Sequence, residues 1–353
     1  MKILFIDMST KLQTINDLQT RARGGMVSSL FAVSDGLANL GHDTSVIAGI
    51  EGITTDGTRW LPEYDDREYD FLICNRGIGS GYPDIKARRR VLWTHDLPHN
   101  GFIPNPQTIN AFSATVFMSN YAERIWRSFY PTIGKSWTIP NGVNRELFYP
   151  REKDLNYLIY ASAPNRGVDR LPLIYAATKT KTKLPIFMKA YTNMAVLHPN
   201  ESKSDIYGIH KDDGYGVHYE KCGEAGIEVL DPIPQCQLAE ELGKASAMVL
   251  PTIYPEICSN SILQSLVSGT PIFTTGNVGS APEWIKHGKN GMFTRYQPHD
   301  YMIYQMEMVR NLIKVLSNPR VHRKMMMKAA QTKGIYTWKQ VVNLWHKMIT
   351  RLS

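Results

Sequence analysis

The chain has 353 residues, of which 43% are hydrophobic and 20% charged, a balance that supports a buried core and excludes a disordered chain. No apolar run approaches the roughly 18 residues a membrane-spanning helix needs, and four cysteines (Cys74, Cys222, Cys236, Cys258) without CxxC spacing argue against a disulfide framework or a zinc site and for a reducing, cytoplasmic setting. The net charge is +8, and Arg320 to Ser353 alone holds eight Lys and Arg and no acid. Such a tail is either a solvated helix face or a peripheral contact with acidic membrane on its inner face; no nucleic-acid motif accompanies it.

The N-terminal run KILFID (2–7) carries Asp7 and reads as a buried first strand rather than a signal peptide. A polar loop, Gly24-Gly25 and a helical run from Met26 to Leu40 follow. TSVIAG (44–49), YDFLIC (69–74), VLWT (91–94) and ATVFMS (114–119) are further apolar strands, a helix is predicted over Tyr121–Phe129, and SWTIP (136–140) closes the first half. Nearly continuous apolar runs of this kind suit a parallel sheet covered on both faces. The second half repeats the pattern with NYLIYAS (156–162), LPIFMKA (184–190), GIEVLD (226–231), SAMVLP (246–251) and PIFTT (271–275), and with helices starting near Asp169, Gln235, Ser259 and Ala281. Residues 197–222 read as a long loop or insertion. The last 50 residues read as helical, with Trp338, Val341, Val342, Trp345, Met348 and Ile349 on one face. Strand–helix alternation in both halves predicts an α/β protein of two doubly wound, Rossmann-like domains. Their expected extents are 1–150 and 151–335, with a C-terminal helix, 336–353, returning to the first.

In open α/β sheets ligands bind beyond the carboxyl ends of the strands, and four segments stand there. Arg21-Ala22-Arg23-Gly24-Gly25 lets backbone approach an anionic ligand at a helix start, although a plain glycine turn has the same composition. His95 and Asp96 follow VLWT; His95 can donate to a sugar hydroxyl or assist proton transfer, or be satisfied by local backbone. Ser162 to Gly167 contains Arg166, whose planar fork suits a phosphate and equally suits a surface turn. Tyr254 to Pro271 is the most informative: Ser259, Asn260 and Ser261 are cap-type residues at a predicted helix start, where amides and the helix dipole favour an anion. Glu256 precedes them and Gln264 lies two turns into the helix. An ordinary capped core helix is the competing reading.

Taken in order, these segments resemble glycosyltransferase family 4, whose members have the GT-B fold. Gly24-Gly25 with LANLGHDTSVIA, FMSNYAERIW, IPNGVNRELFYP, SAPNRGVDRL, the Glu256–Pro271 stretch and PEWIKHGKNGMF each resemble a family segment, the second to last resembling E-G-F-G-x-x-x-L-E-A-x-A-x-G-x-P. The resemblance implies two domains facing a central cleft and a retaining, metal-independent transfer of a hexose-type sugar from a nucleotide-diphosphate sugar (a UDP- or GDP-sugar) to a glycan or lipid-linked acceptor, with no other cofactor. It implies that Glu256 contacts the donor sugar, that His95 faces it, and that Gly24 and Gly25 line the leaving phosphate. Cys258, Ser259, Asn260 and Ser261 would offer amides to the diphosphate beside Ser162, and Arg166 would neutralise it. Ile233, within 231–234, would flank the nucleobase. Gln264 stands where relatives carry a second glutamate that holds the ribose; an amide keeps an acceptor and adds donors.

Two other readings remain at the level of sequence. A sugar-nucleotide epimerase or an inverting transferase would use Asp96 as its base, and a non-catalytic nucleotide-sugar-binding protein would account for glutamine at 264. The lack of GxGxxG after any strand counts against a simple Rossmann dehydrogenase.

Overall fold

A computed structural model describes residues 1–7, 24–54, 56–76, 85–98, 106–194, 214–296 and 300–353. The chain forms two compact units: residues 1–142 with 336–353, and residues 143–335.

Unit 1 holds β1 (Lys2–Ile6), α1 (Gly25–Asn39), β2 (Asp43–Ile47), β3 (Gly52–Ile53), β4 (Arg59–Leu61), β5 (Tyr69–Asn75), β6 (Ala87–Trp93), α2 (Pro106–Asn110), β7 (Ala114–Phe117), α3 (Asn120–Phe129) and β8 (Ser136–Thr138). Its sheet runs β3-β4-β2-β1-β5-β6-β7-β8. All pairings are parallel except β3 with β4, an antiparallel edge. β1 alternates nothing: Ile3 to Ile6 are all buried, as a strand covered on both faces must be. The short strands β9 (Gly142–Val143) and β16 (Tyr336–Thr337) mark the two crossings between units.

The final helix, α10 (Trp338–Leu352), belongs to unit 1. A reciprocal capping box of Thr337 and Gln340 starts it, and Val341, Val342, Trp345, Met348, Ile349 and Leu352 are buried. The Trp345 ring packs 4.8 Å from Trp93 and 6.3 Å from Phe5, edge and tilted geometries that aromatic quadrupoles favour. Two glycines let the helix close on the sheet layer. A Cβ on Gly36 would lie 2.2 Å from Val342 Cγ2, and one on Gly142 would lie 2.7 Å from the Trp338 amide nitrogen. Gly142 is the glycine of IPNG, and its neighbour Asn141 accepts from Ser29 Oγ at 2.6 Å. The junction motif thus ties the start of α10 to the N-terminal part of α1.

Unit 2 holds β10 (Asp154–Ala161), α4 (Leu171–Thr182), β11 (Phe187–Tyr191), α5 (Gly216–Glu224), β12 (Ile227–Leu230), α6 (Gln235–Lys244), β13 (Ala245–Leu250), α7 (Asn260–Val267), β14 (Ile272–Thr275), β15 (Gly291–Thr294), α8 (Tyr301–Leu316) and α9 (Pro319–Ala330). The sheet order is β12-β11-β10-β13-β14-β15, all parallel. Two expectations are corrected. The helix expected near Ala281 is a single turn, Ala281–Glu283, because Pro282 and Gly288 bracket too few residues for more. Within the expected loop 197–222, residues from Gly216 onward are helical; residues 197–213 lie outside the described set.

A part-buried cation fastens unit 2 at the end of the sheet where β10 begins. Lys153 Nζ donates to the carbonyls of Leu242 and Ser268 and to Thr270 Oγ1, at 3.1, 2.8 and 2.6 Å. These groups lie at the carboxyl ends of α6 and α7, where a cation meets the negative end of each helix dipole. Burial pulls the ammonium down to about 7.

Candidate functional site

In both sheets the chain leaves one central strand in opposite directions, which opens a crevice at that point. In unit 2 the strand is β10, paired with β11 on one side and β13 on the other. The segments leaving β10 and β13 meet there. Gly167 sits at φ 110°, and a Cβ on it would lie 2.4 Å from the Pro251 carbonyl oxygen, so only glycine permits the approach. One residue earlier, Arg166 Nε donates to Glu256 Oε1 at 2.6 Å and Nη1 donates to Asn165 Oδ1 at 2.6 Å. The guanidinium lies 3.6 Å from the Tyr254 ring centroid, a stacked cation–π contact. The two charged side chains are 12% and 18% exposed, so the pair is largely desolvated yet reachable. Although burial opposes its charge, the Glu256 carboxylate raises the Arg166 pKa.

Glu256 is fixed from a third direction. Its amide donates to the Tyr254 carbonyl at 2.8 Å, and its own carbonyl accepts from Ser280 at 2.7 Å. Gly279, at φ 78°, presses so close that a Cβ would lie 2.7 Å from the Glu256 nitrogen and oxygen. Tyr254 and Asn165 stand in the segments that the sequence singles out, but without a role assigned to them, and Gly279 lies outside those segments. The signal available was the glycine pair of GNVGS (276–280) following a strand.

Helix α7 begins next to this pair. Ser259 holds the N-cap position without making a side-chain cap bond, whereas Ser119 caps α3, accepting from Ala122 at 3.1 Å. Ser261 uses its hydroxyl on the Ala161 carbonyl at 2.6 Å, binding the helix start to the end of β10 beside Ser162. What Ser261 offers a ligand is thus its amide, not its hydroxyl. Cys258 and Ser259 are buried while Asn260 and Ser162 keep partial exposure. Gln264, 8% exposed, donates Nε2 to Gln235 Oε1 at 2.7 Å. Gln235 opens α6 just past Ile233, which is partly exposed. Asn193 donates to Asp231 in the same loop at 3.1 Å. Predicted residues Ser162, Arg166, Glu256, Cys258 to Ser261, Gln264 and Ile233 therefore all lie on unit 2 at the carboxyl side of its sheet.

Gly24, Gly25 and His95 belong to unit 1. Gly24 is the N-cap of α1 at φ −64°, ψ 158°, a conformation open to any residue, so the backbone angle does not demand glycine there. Arg21 to Arg23 lie outside the described residues. The crevice strand of unit 1 is β1, between β2 and β5, and the residues ending those strands meet: Asn75 donates to Asp7 Oδ2 at 2.9 Å, both nearly fully buried. The His95 ring, after β6, lies 4.5 Å from Trp93 and tilted against it, and its Nε2 is buried without a hydrogen-bond partner among the described residues. Burial, and then the charge of Arg76, push its pKa down to about 3, so it is a neutral imidazole at physiological pH. The Asp96 carboxylate is taken by Arg76 Nε, and Arg76 itself holds φ 73°, an unusual angle for a residue with a side chain.

Residues 178–317 match the family model described as glycosyl transferases group 1. Among solved structures, the chain is similar to a sucrose-phosphate synthase from Thermosynechococcus elongatus, with 14% identity over 99% of this chain and 98% of that one and a TM-score of 0.74. Anabaena Alr3699/HepE, solved with UDP and glucose, gives 13% identity, 99% coverage of both chains and a TM-score of 0.70. WaaG, a glycosyltransferase involved in lipopolysaccharide biosynthesis, gives 12%, 99% of both chains and 0.69. A comparison with curated protein sequences finds no match. The fold is GT-B, residues 178–317 carry the group 1 match, and the chain is a glycosyltransferase.

Proposed function

We propose that the chain transfers a hexose-type sugar from a nucleotide-diphosphate donor, a UDP- or GDP-sugar, to a glycan or lipid-linked acceptor with retention of anomeric configuration. The observation that carries this reading is the Arg166–Glu256 pair at the crevice of unit 2, beside the start of α7. A diphosphate laid on the α7 amides would find the helix dipole and the Arg166 guanidinium, whose Nη2 is the nitrogen with no acceptor among the described residues. Glu256 would then exchange part of its bond to Arg166 for the donor sugar's hydroxyls. Negative charge growing on the leaving diphosphate is stabilised by groups already in place, which is the main demand of such a transfer. Arg166 and the amides supply that stabilisation without a metal ion, and the leaving phosphate takes the acceptor's proton.

Neutral His95 suits hydrogen bonding to a sugar hydroxyl rather than binding of a phosphate. The ion pair of Asp96 with Arg76 counts against Asp96 as a general base and hence against an inverting reaction. HepE was solved with UDP and glucose, which accords with a uridine nucleotide donor.

A thermal-shift panel of UDP-, GDP-, ADP- and dTDP-sugars tests the donor, since a true donor raises the melting temperature by mass action. Nucleotide release by wild type and Glu256→Gln then tests the site. Loss of about a hundredfold or more in the variant is expected, and equal rates would overturn the assignment. The product's anomeric configuration, read by NMR, decides between retention and inversion.

A further inference from the structure

Helix α9 turns His322, Met325, Met326 and Ala329 inward and buries them. Its outward face carries Arg320, Val321, Arg323, Lys324, Met327 and Lys328, all exposed, with Val321 40% and Met327 59% accessible. These positions fall on one stripe at helical spacing. The stripe is arranged against the helix's own stability. Arg320, Lys324 and Lys328 follow one another at four-residue intervals, where like charges repel. Arg320 occupies the first turn and Arg323 follows it at the start of the second, where the dipole disfavours cations, and no acid is present in that first turn. No Asp or Glu follows Glu307 in the chain, and the side chains of Arg320, Arg323 and Lys324 have no acidic partner among the described residues. A face serving only to keep a helix solvated would alternate charges. This one gains from an external anionic surface, and its two bare apolar side chains lie among the cations rather than beneath them.

We propose that the outer face of α9 docks on an anionic lipid bilayer, the cations meeting headgroup phosphates while Val321 and Met327 enter the acyl boundary. An extended polyanion would neutralise the same charges but gives Met327 no apolar medium, and the face carries no aromatic side chain on which a base can stack. The inference stands apart from the donor site and does not depend on which sugar is moved.

The test is cosedimentation of the full chain with vesicles of phosphatidylcholine alone or mixed with phosphatidylglycerol. Binding to the mixed vesicles only, weakening as salt rises, is expected. Arg320→Glu/Arg323→Glu/Lys324→Glu should lower the partition coefficient at least about a hundredfold, with nucleotide release and melting temperature unchanged. Met327→Ser should lower vesicle partition roughly tenfold while leaving heparin binding as in wild type. Equal binding to neutral vesicles, no binding to either, or full vesicle binding by Met327→Ser would each overturn the proposal; the last would make the face a polyanion site. If the triple variant fails to fold, Met327→Ser and the salt titration of wild type still decide.

Discussion

The two units place different chemistry at the same topological position. At the crevice of unit 1, Asp7 and Asn75 bond to each other and are 1% and 3% exposed, a polar contact sealed into the sheet. At the crevice of unit 2, Arg166 and Glu256 bond to each other with 12% and 18% exposure, and an aromatic ring, a helix start and two close-packed glycines surround them. The same winding thus yields a structural fastening in one unit and a charged, reachable centre in the other. The switch point alone does not make a site. Side chains that stay accessible after folding do.

The contrast can be broken experimentally. Arg166→Ala is expected to lower turnover about 10²- to 10³-fold, with little rescue by Arg166→Lys, because an ammonium neither stacks flat on Tyr254 nor forks between Asn165 and Glu256. Nucleotide release measures it, and rescue by lysine would reduce Arg166 to a point charge. Asn75→Ala should behave oppositely: it leaves the buried Asp7 carboxylate short of a donor, costing about 1–3 kcal/mol in urea unfolding, while the donor-induced thermal shift of unit 2 persists. A fall in activity without a fall in stability would move unit 1's crevice into the reaction. Gln235→Ala is expected to weaken donor binding only a few-fold, about 1 kcal/mol, by freeing the Gln264 amide. Gln235→Glu, which keeps the acceptor, should restore it, and discrimination between UDP and 2′-deoxy-UDP by calorimetry reports whether Gln264 reads the ribose.

A separate effect concerns acid. Folding lowers the His95 pKa from 6.5 to about 3, so between those values the unfolded chain takes the proton more readily. Stability is full above about pH 6.5 and falls as pH drops toward 3. His95→Gln should flatten that acid limb in melts across the range; an unchanged limb would show that His95 is reached by solvent.

Much of this fold is written in apolar runs. KILFID, YDFLIC and SAMVLP sit on β1, β5 and β13 because strands covered on both faces need unbroken apolar character. Where that demand lapses, the pattern fades. Ala87 to Arg90 extend β6 with three arginines at its less buried end, and the edge strand β3 and its neighbour β4 carry only a few residues each. GMFT forms β15 at the sheet's edge without standing out in the sequence. At the candidate site, single residues with strong chemistry were legible: Arg166, Glu256 and the start of α7. Their couplings were not. That Arg166 bonds Glu256, that Gln264 leans on Gln235, and that Ser261 spends its hydroxyl on Ala161 depend on contacts between residues 29 to 100 positions apart, which no local spacing encodes. What requires glycine at Gly167 and Gly279 is backbone arriving from another strand's exit loop.

Helix α10 completes the core of unit 1 with Trp345 between Phe5 and Trp93, although unit 2 lies between them in the sequence. The order of synthesis therefore inverts the order of the sheet. On the ribosome, unit 2 is contiguous and has every strand it needs once Ile335 has emerged, whereas unit 1 waits with its aromatic cluster open until helix α10 has followed. Domains that fold as they emerge begin at the N-terminus; here the earlier-made half is the later one to close, and the exposed faces of Phe5 and Trp93 are what a chaperone would meet in the interval.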